Sequence, residues 1–403
     1  MPPVARRRLT AAGCLLALGL FPSPSDAQRP EERRDAPSPV TSRVDGPRPR
    51  YPYGVRLCAG GDVTLGSNLD PTWARSAAQK LRAEYGLSSE PAALLAPLRS
   101  LVADADVLLL NVEGAIGQGP VAERKCSPTS TNCYAFRQPV AAARALRELA
   151  PEAIVVGNVA NNHSRDAGGP GFAQTARHLR RADVRVTGAD TLATRVVTFL
   201  GDTLAVLGFH TTEDGLIPDA RDLAAVYRHV ARAVRMYGTV VVTMHLGAEG
   251  VGAQRTRNET EIFLGRIDRG NPVAFADTVF AAGATLIIGH GPHVLRAGEW
   301  RDDRLVLYSL GNLLTYGPFG NKEPTNRGAV ACVTIDSARH VSEAELRSTF
   351  QSAPGVLRPD PLERAAQIVD SLSALDFPRT GVRVLRGGAI GRREEPRVSS
   401  RRR

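Results

Sequence analysis

Lysine is nearly missing from this chain: three of its 51 basic residues are Lys (Lys80, Lys125 and Lys322), and the remainder are Arg. Long apolar runs are missing too. The apolar stretch near the N-terminus, Leu9–Phe21, is about 13 residues, where a bilayer-crossing helix needs about 20. Together with a mean hydropathy of −0.16, this excludes a polytopic membrane protein. Cysteine is scarce, with five in 403 residues. Cys126 and Cys133 bracket a polar loop with no second Cys or His pair beside them, which argues against a thiolate zinc site. In an oxidising compartment that spacing can close a small disulfide ring. Cys58 and Cys332 sit inside apolar, strand-like runs and read as buried thiols.

Net charge is also lacking where it would matter for nucleic acid. The total is +10, but ten Arg against five acids give residues 1–56 a charge of +5, and nine Arg against two Glu give residues 379–403 a charge of +7. The body, 57–378, is left with −2. A nearly neutral body is a poor binder of phosphate backbone, so no nucleic-acid partner is expected. The basic ends read as solvated tails that suit acidic surfaces or polymers.

What is present begins with a leader pattern. Arg6-Arg7-Arg8, the run Leu9–Phe21 and the small residues Ser25 and Ala27 spell a signal peptide over residues 1–27, cleaved after Ala27. The expected location is therefore exported: periplasmic, cell-envelope or extracellular. Residues 28–54 are rich in Pro, Arg, Asp and Ser with no apolar period, and read as a disordered linker. From Val55 onward, nine apolar runs alternate with amphipathic segments at 139–149, 171–182, 219–236 and 272–282. Strands separated by helices predict a layered α/β domain over 55–350. Leu362, Ala366, Val369, Leu372 and Leu375 share one helical face, so 351–378 is expected to end in a packing helix, followed by the basic tail 379–403. No internal repeat is found.

The informative feature is where the apolar runs stop. Gly60-Gly61-Asp62, Asn111-Val112-Glu113, Asn161-Asn162-His163 with Asp166, His245-Leu246-Gly247-Ala248-Glu249 and His290-Gly291-Pro292-His293 each follow such a run. Polar groups at strand carboxyl ends of an α/β sheet converge on one rim. Singly, Asp62 reads as a turn or cap residue and His245 as a core histidine. Together they form an oxygen and imidazole set of the kind that Mn, Fe and Zn accept. Asp62 and Glu113 are candidate bridging carboxylates for one or two divalent ions about 3.5–4 Å apart, and a water there would ionise near pH 7. His163, with Asp166 orienting it, is the candidate acid that protonates a leaving group.

Those motifs, with Tyr308-Ser309-Leu310-Gly311-Asn312, occur in the order seen in the CapA (poly-γ-glutamate capsule biosynthesis) family, which the chain resembles over about 55–335. The resemblance implies a calcineurin-like metallophosphatase fold, a four-layer α/β/β/α sandwich. It places Asp62, Glu113, Asn162, His245, His290 and His293 on metal-ligand positions and His163 on that of the acid. The chain departs from the wider superfamily at Thr64, where a His ligand is usual, and from the family at Leu246, where an aromatic is usual. The last motif has two residues between its histidines where the wider superfamily has one, a spacing that CapA members share.

Two functions compete on this reading. One is an exported metal-dependent hydrolase that acts on a phosphoester or an amide, with an anionic polymer or a phosphoester as substrate. The other is a non-catalytic accessory or polymer-binding factor of a membrane synthase complex. Residues 114–138 and 248–271 lie between motifs and are expected to loop over the rim.

Overall fold

A computed structural model describes residues 54–393 apart from 67–70, 119–133, 199–200, 214, 216, 218 and 318–320. The leader, the linker through Tyr53, Cys126 and Cys133 lie outside the described residues. The chain begins with β1 (Gly54–Thr64), α1 (Pro71–Tyr85), α2 (Pro91–Leu95), α3 (Arg99–Val102), β2 (Val107–Val112), β3 (Ala115–Ile116) and β4 (Arg137–Gln138). It continues through α4 (Ala141–Leu149), β5 (Ile154–Asn158), α5 (Gly168–Arg181), β6 (Arg185–Thr187), β7 (Thr194–Val197) and β8 (Thr203–His210). Then come α6 (Leu223–Tyr237), β9 (Thr239–His245), β10 (Ile262–Phe263), β11 (Ile267–Asp268), α7 (Pro272–Ala281) and β12 (Leu286–His290). The last elements are β13 (Gly298–Arg301), β14 (Arg304–Leu307), β15 (Asn312–Thr315), β16 (Arg327–Asp336), β17 (Val341–Ser352), β18 (Val356–Pro359), α8 (Arg364–Asp376), β19 (Val382–Val384) and β20 (Ile390–Arg392).

Two sheets result. The first runs β18-β17-β16-β1-β2-β5-β6, with β15 also paired to β1; the second runs β13-β14-β12-β9-β8-β7. Their central strands are parallel, as crossover helices require. Successive side chains alternate between faces, and each face has its own core. Leu57, Leu109, Val206, Val241 and Ile288 pack between the sheets. Cys58, Leu108 and Val155 pack outward against Leu81, Leu94, Leu146 and Leu179 of the helices. Leu207, Val242 and Ile287 pack outward on the other side, against Val226, Val230, Phe275 and Val279. Three cores between four layers make the α/β/β/α sandwich that the resemblance implies. Both faces of the central strands are covered, which is why β2 reads as an unbroken buried run.

Helix ends follow local chemistry. Asn271 caps α7 by accepting the N–H groups of Val273 and Ala274, with Pro272 in the first turn. Asp222 caps α6 through the N–H of Ala225.

The structure corrects the reading of Cys58 and Cys332 as thiols. They face each other on antiparallel β1 and β16 and form a disulfide. Register decides this, because direct cross-strand partners bring their Cβ atoms within bonding reach. The C-terminal reading also changes. Sheet one extends to β18, past residue 350, and residues 382–392 of the expected tail fold as the β19–β20 hairpin. Val382 and Ile390 join the inter-sheet core, while Arg383 and Arg392 face outward. A further polar cluster ties β1 and β17 to the segment after α3. Arg347 holds Asp104 at 2.6 Å, and Arg56 contacts both Asp104 and Glu345. Burial acts to raise the Asp104 carboxyl, but the two guanidinium groups outweigh it and bring it down to about 2.

Candidate metal centre

Parallel strands in register deliver the polar residues to one rim. Asp62 ends the regular part of β1, Glu113 follows β2, His245 ends β9 and His290 ends β12. His245 and His290 are paired neighbours, so both side chains leave the same face of the second sheet. Asp62, Glu113 and His245 each place a ligand-type atom within 4.8 Å of the others, and all are buried. His293 joins them from the turn after β12, where it adopts a left-handed φ of 59°. Its Nδ1 lies 3.2 Å from Asp62 Oδ2 and its Nε2 3.7 Å from Glu113 Oε1. Gly291 is required in that turn, since a Cβ there would stand 3.0 Å from the His245 ring.

The electrostatics of this pocket are uneven. Burial alone would raise the Asp62 carboxyl, but the hydrogen bond and charge of His293, with His245 and His290 nearby, hold it well below the usual carboxylate range. Glu113 is pushed up to about 8, first by burial and then by the Asp62 and Glu249 carboxylates, against the opposing charges of His293 and Arg269. Burial lowers His290 to about 4 and holds His245 well below its ordinary value. Burial acts the same way on His293, but Glu113 and Asp62 outweigh it and raise this imidazole well above its ordinary value.

Hydrogen bonding leaves acceptors over. Both Glu113 carboxylate oxygens, both ring nitrogens of His290 and Nε2 of His245 are buried without a hydrogen-bond partner. Buried polar groups are normally satisfied, and a carboxylate least tolerates the lack. An oxygen and imidazole set left open in this way fits a divalent cation.

The predicted acid lies at the edge of the same site. His163 Nδ1 is 2.8 Å from Asp166 Oδ2, and Phe136 packs on the ring with centroids 4.1 Å apart. Asp166 Oδ2 also accepts the Phe136 backbone N–H, so one carboxylate holds the imidazole and the backbone that carries Phe136. His163, Glu113, His293 and Asn312 line a cavity of about 480 Å³ whose walls include Tyr134, Phe136, Phe263 and Leu264. Segments of both inter-motif stretches thus reach the rim, the second through the β10–β11 hairpin.

Asn162 stands further out. It is half-buried, and its Nδ2 donates to Glu249 Oε1 at 3.4 Å. Its neighbour Asn161 is buried and donates to Asn111 and to the Val112 carbonyl. Thr64 offers its hydroxyl to the Glu113 carbonyl at 3.2 Å, tying the two strand ends together. Tyr308 points away from the site. Its hydroxyl donates to Glu299, and its ring stacks on Phe377.

Three residues quoted in motifs without a role acquire one. Asn111 donates to Asp62 Oδ1 at 2.7 Å, lies 3.3 Å from His245 Nδ1, and accepts from Asn158 and Asn161. Asn312 Oδ1 accepts from His293 Nδ1 at 2.9 Å, while its Nδ2 donates to the Thr325 carbonyl. Glu249 sits 2.9 Å from Arg269 and 3.8 Å from His293 Nε2. The available signal was their position at the end of apolar runs; their partners depend on turns that periodicity does not describe.

Fold and site define a four-layer α/β/β/α protein with a buried carboxylate and imidazole cluster suited to a divalent cation. The chain belongs to the bacterial capsule synthesis protein PGA_cap family, whose model matches residues 56–316. It is 28% identical over 173 residues to the PGA biosynthesis protein CapA of Bacillus subtilis, covering 39% of this chain and 41% of that one. It is 27% identical over 174 residues to the capsule biosynthesis protein CapA of Bacillus anthracis, covering 39% of each. The match thus spans about two fifths of the length of these curated relatives. A solved structure of a candidate 5′-nucleotidase from Staphylococcus aureus superposes with a TM-score of 0.40 at 13% identity, over 79% of this chain and 58% of that one.

Proposed function

We propose that this protein is an exported, divalent-metal-dependent hydrolase that cleaves a phosphoester or amide bond, in the service of capsule polymer synthesis. The observation that carries the proposal is the set of buried, unbonded donor atoms on Glu113, His245 and His290 beside the ionised Asp62. In this reading Asp62, Glu113, Asn162, His245, His290 and His293 hold one or two ions of Mn, Fe or Zn. When bound, such an ion supplies Lewis acidity and lowers the pKa of water to about 7.

The chain's own residues supply the rest. Asn312 holds the His293 ring, and Asn111 fixes Asp62 relative to His245. Asp166 orients His163 and stabilises its imidazolium, so that Nε2 delivers a proton to the departing oxygen or nitrogen. Phe136 and Phe263 shield the reacting groups from bulk water. Two features support export: the leader pattern, and the Cys58–Cys332 bridge, since disulfides persist in oxidising compartments.

A second reading, a polymer-binding accessory factor of a membrane synthase complex, is favoured by one observation. Thr64 stands where a further ligand is usual and spends its hydroxyl on the Glu113 carbonyl.

The test is a substrate panel on Mn-loaded protein: p-nitrophenyl phosphate, bis(p-nitrophenyl) phosphate and poly-γ-glutamate. Release of nitrophenol marks a phosphoesterase, and shortening of the polymer marks an amide hydrolase. Metal-loaded protein that turns over none of them, yet retains the polymer on a column, is the accessory factor.

A further inference from the structure

We propose that Glu249 is a positioning residue for the metal centre: held by Arg269, it sets which end of the Asn162 amide faces the cation pocket. The inference rests on the metal-centre reading given above. It starts from the turn after β9. Gly247 has a φ of 94°, and a Cβ there would stand 3.0 Å from the buried Arg296 guanidinium. The turn can therefore fold back, and Glu249 returns over the site with its side chain 15% exposed.

A chain of contacts then leads inward. Arg269, itself 4% exposed, donates from Nε to the Gly247 carbonyl at 3.0 Å and holds the Glu249 carboxylate at 2.9 Å. The Gly247 N–H donates back to the Arg269 carbonyl at 2.9 Å, and the Gly250 N–H donates to the Pro292 carbonyl. Both ends of the turn are thereby fixed, one of them to the loop that bears His293. Glu249 Oε1 accepts from Asn162 Nδ2.

Glu249 Oε1, held against the Arg269 guanidinium, is the acceptor here, whereas an Asn amide has one donor end and one acceptor end. The amino end of Asn162 must therefore face Glu249, and the oxygen end turns away from it. A flipped amide would point N–H groups at a cation and lose the ligand. Such outer contacts typically govern metal affinity by 10–100-fold when removed. Glu249 thus acts through Asn162.

The test measures Mn dissociation constants by calorimetry for the wild-type protein and for E249A, E249Q, N162A and the double variant E249A/N162A. Thermal melts of each confirm folding. The expected result is about 10–100-fold weaker binding for E249A. E249Q should stay within about threefold, because its carbonyl still accepts from Asn162. The double variant should bind no more weakly than N162A alone, since the two act as one unit. Additive losses in the double variant, equal damage by E249Q and E249A, or unchanged binding by E249A each overturn the role of Glu249 and leave the metal centre intact. A wild-type protein that takes up no divalent ion overturns both.

Discussion

Asp62 and Asn312 are direct partners across the parallel pairing of β1 and β15, and both grip the same imidazole. His293 Nδ1 lies 3.2 Å from the Asp62 carboxylate and 2.9 Å from the Asn312 amide oxygen. A residue from a separate turn is thereby fixed by two adjacent strands of the first sheet. Removing the Asn312 side chain should free the His293 ring without disturbing β1. N312A is expected to weaken Mn binding about 10–100-fold, while N312D retains most of it. Calorimetric titration of the two variants checks this.

The His163–Asp166 pair leads to a kinetic prediction. H163A should lower kcat by about 10²–10⁴-fold on substrates with poor leaving groups, with the bound-metal content unchanged. Aryl phosphates, whose leaving groups need no proton, should be affected far less. D166N should fall between the two, since it keeps the ring near its place but loses the charge that stabilises the imidazolium. A comparison of alkyl and aryl esters under single-turnover conditions measures the difference.

Acid stability should report the Asp104 cluster. In the folded chain this carboxyl titrates at about 2, against an ordinary 3.8. A depressed carboxyl contributes stability that is complete above about pH 4 and is lost as pH falls through about 2. The wild-type protein should therefore lose about 2 kcal/mol between pH 4 and pH 2 from this group. D104N should be less stable than wild type at pH 7 by a similar amount and show a flatter acid limb. Urea unfolding at a series of pH values tests both slopes.

The bridge between β1 and β16 should be visible in mass and in stability. Denatured, unreduced protein should show Cys58 and Cys332 blocked to alkylation, and reduction should expose them. C58A/C332A should unfold about 2–5 kcal/mol more easily, the usual cost of losing a native disulfide. Alkylation of both residues without reduction would contradict the pairing.

Much of the fold could be read from residues alone. Strands such as Val107–Val112 and Thr239–His245 are apolar because helices cover one face and a second sheet the other, and that signature survives in one dimension. The convergence of Asp62, Glu113, His245 and His290 was legible for the same reason, because parallel strands deliver their ends to one rim. What sequence concealed is register and turn geometry. A Cys in an apolar run looks the same whether its cross-strand partner is Cys or Val, so the Cys58–Cys332 bond was invisible. The β19–β20 hairpin was masked by its arginines, because Val382 and Ile390 are too few to form a pattern. Glu249, Arg269 and Asn312 take their roles from tight turns, where a single positive φ redirects a side chain.

The central claim is that the buried carboxylates and imidazoles at the strand ends hold a divalent ion. Elemental mass spectrometry of protein purified from metal-replete medium addresses it directly, with H290A/H293A and E113Q alongside. The account predicts one to two Mn, Fe or Zn per wild-type chain and a loss of most of that metal in the variants, with their folds retained. Wild-type protein free of metal, or variants that keep their full complement, would contradict it.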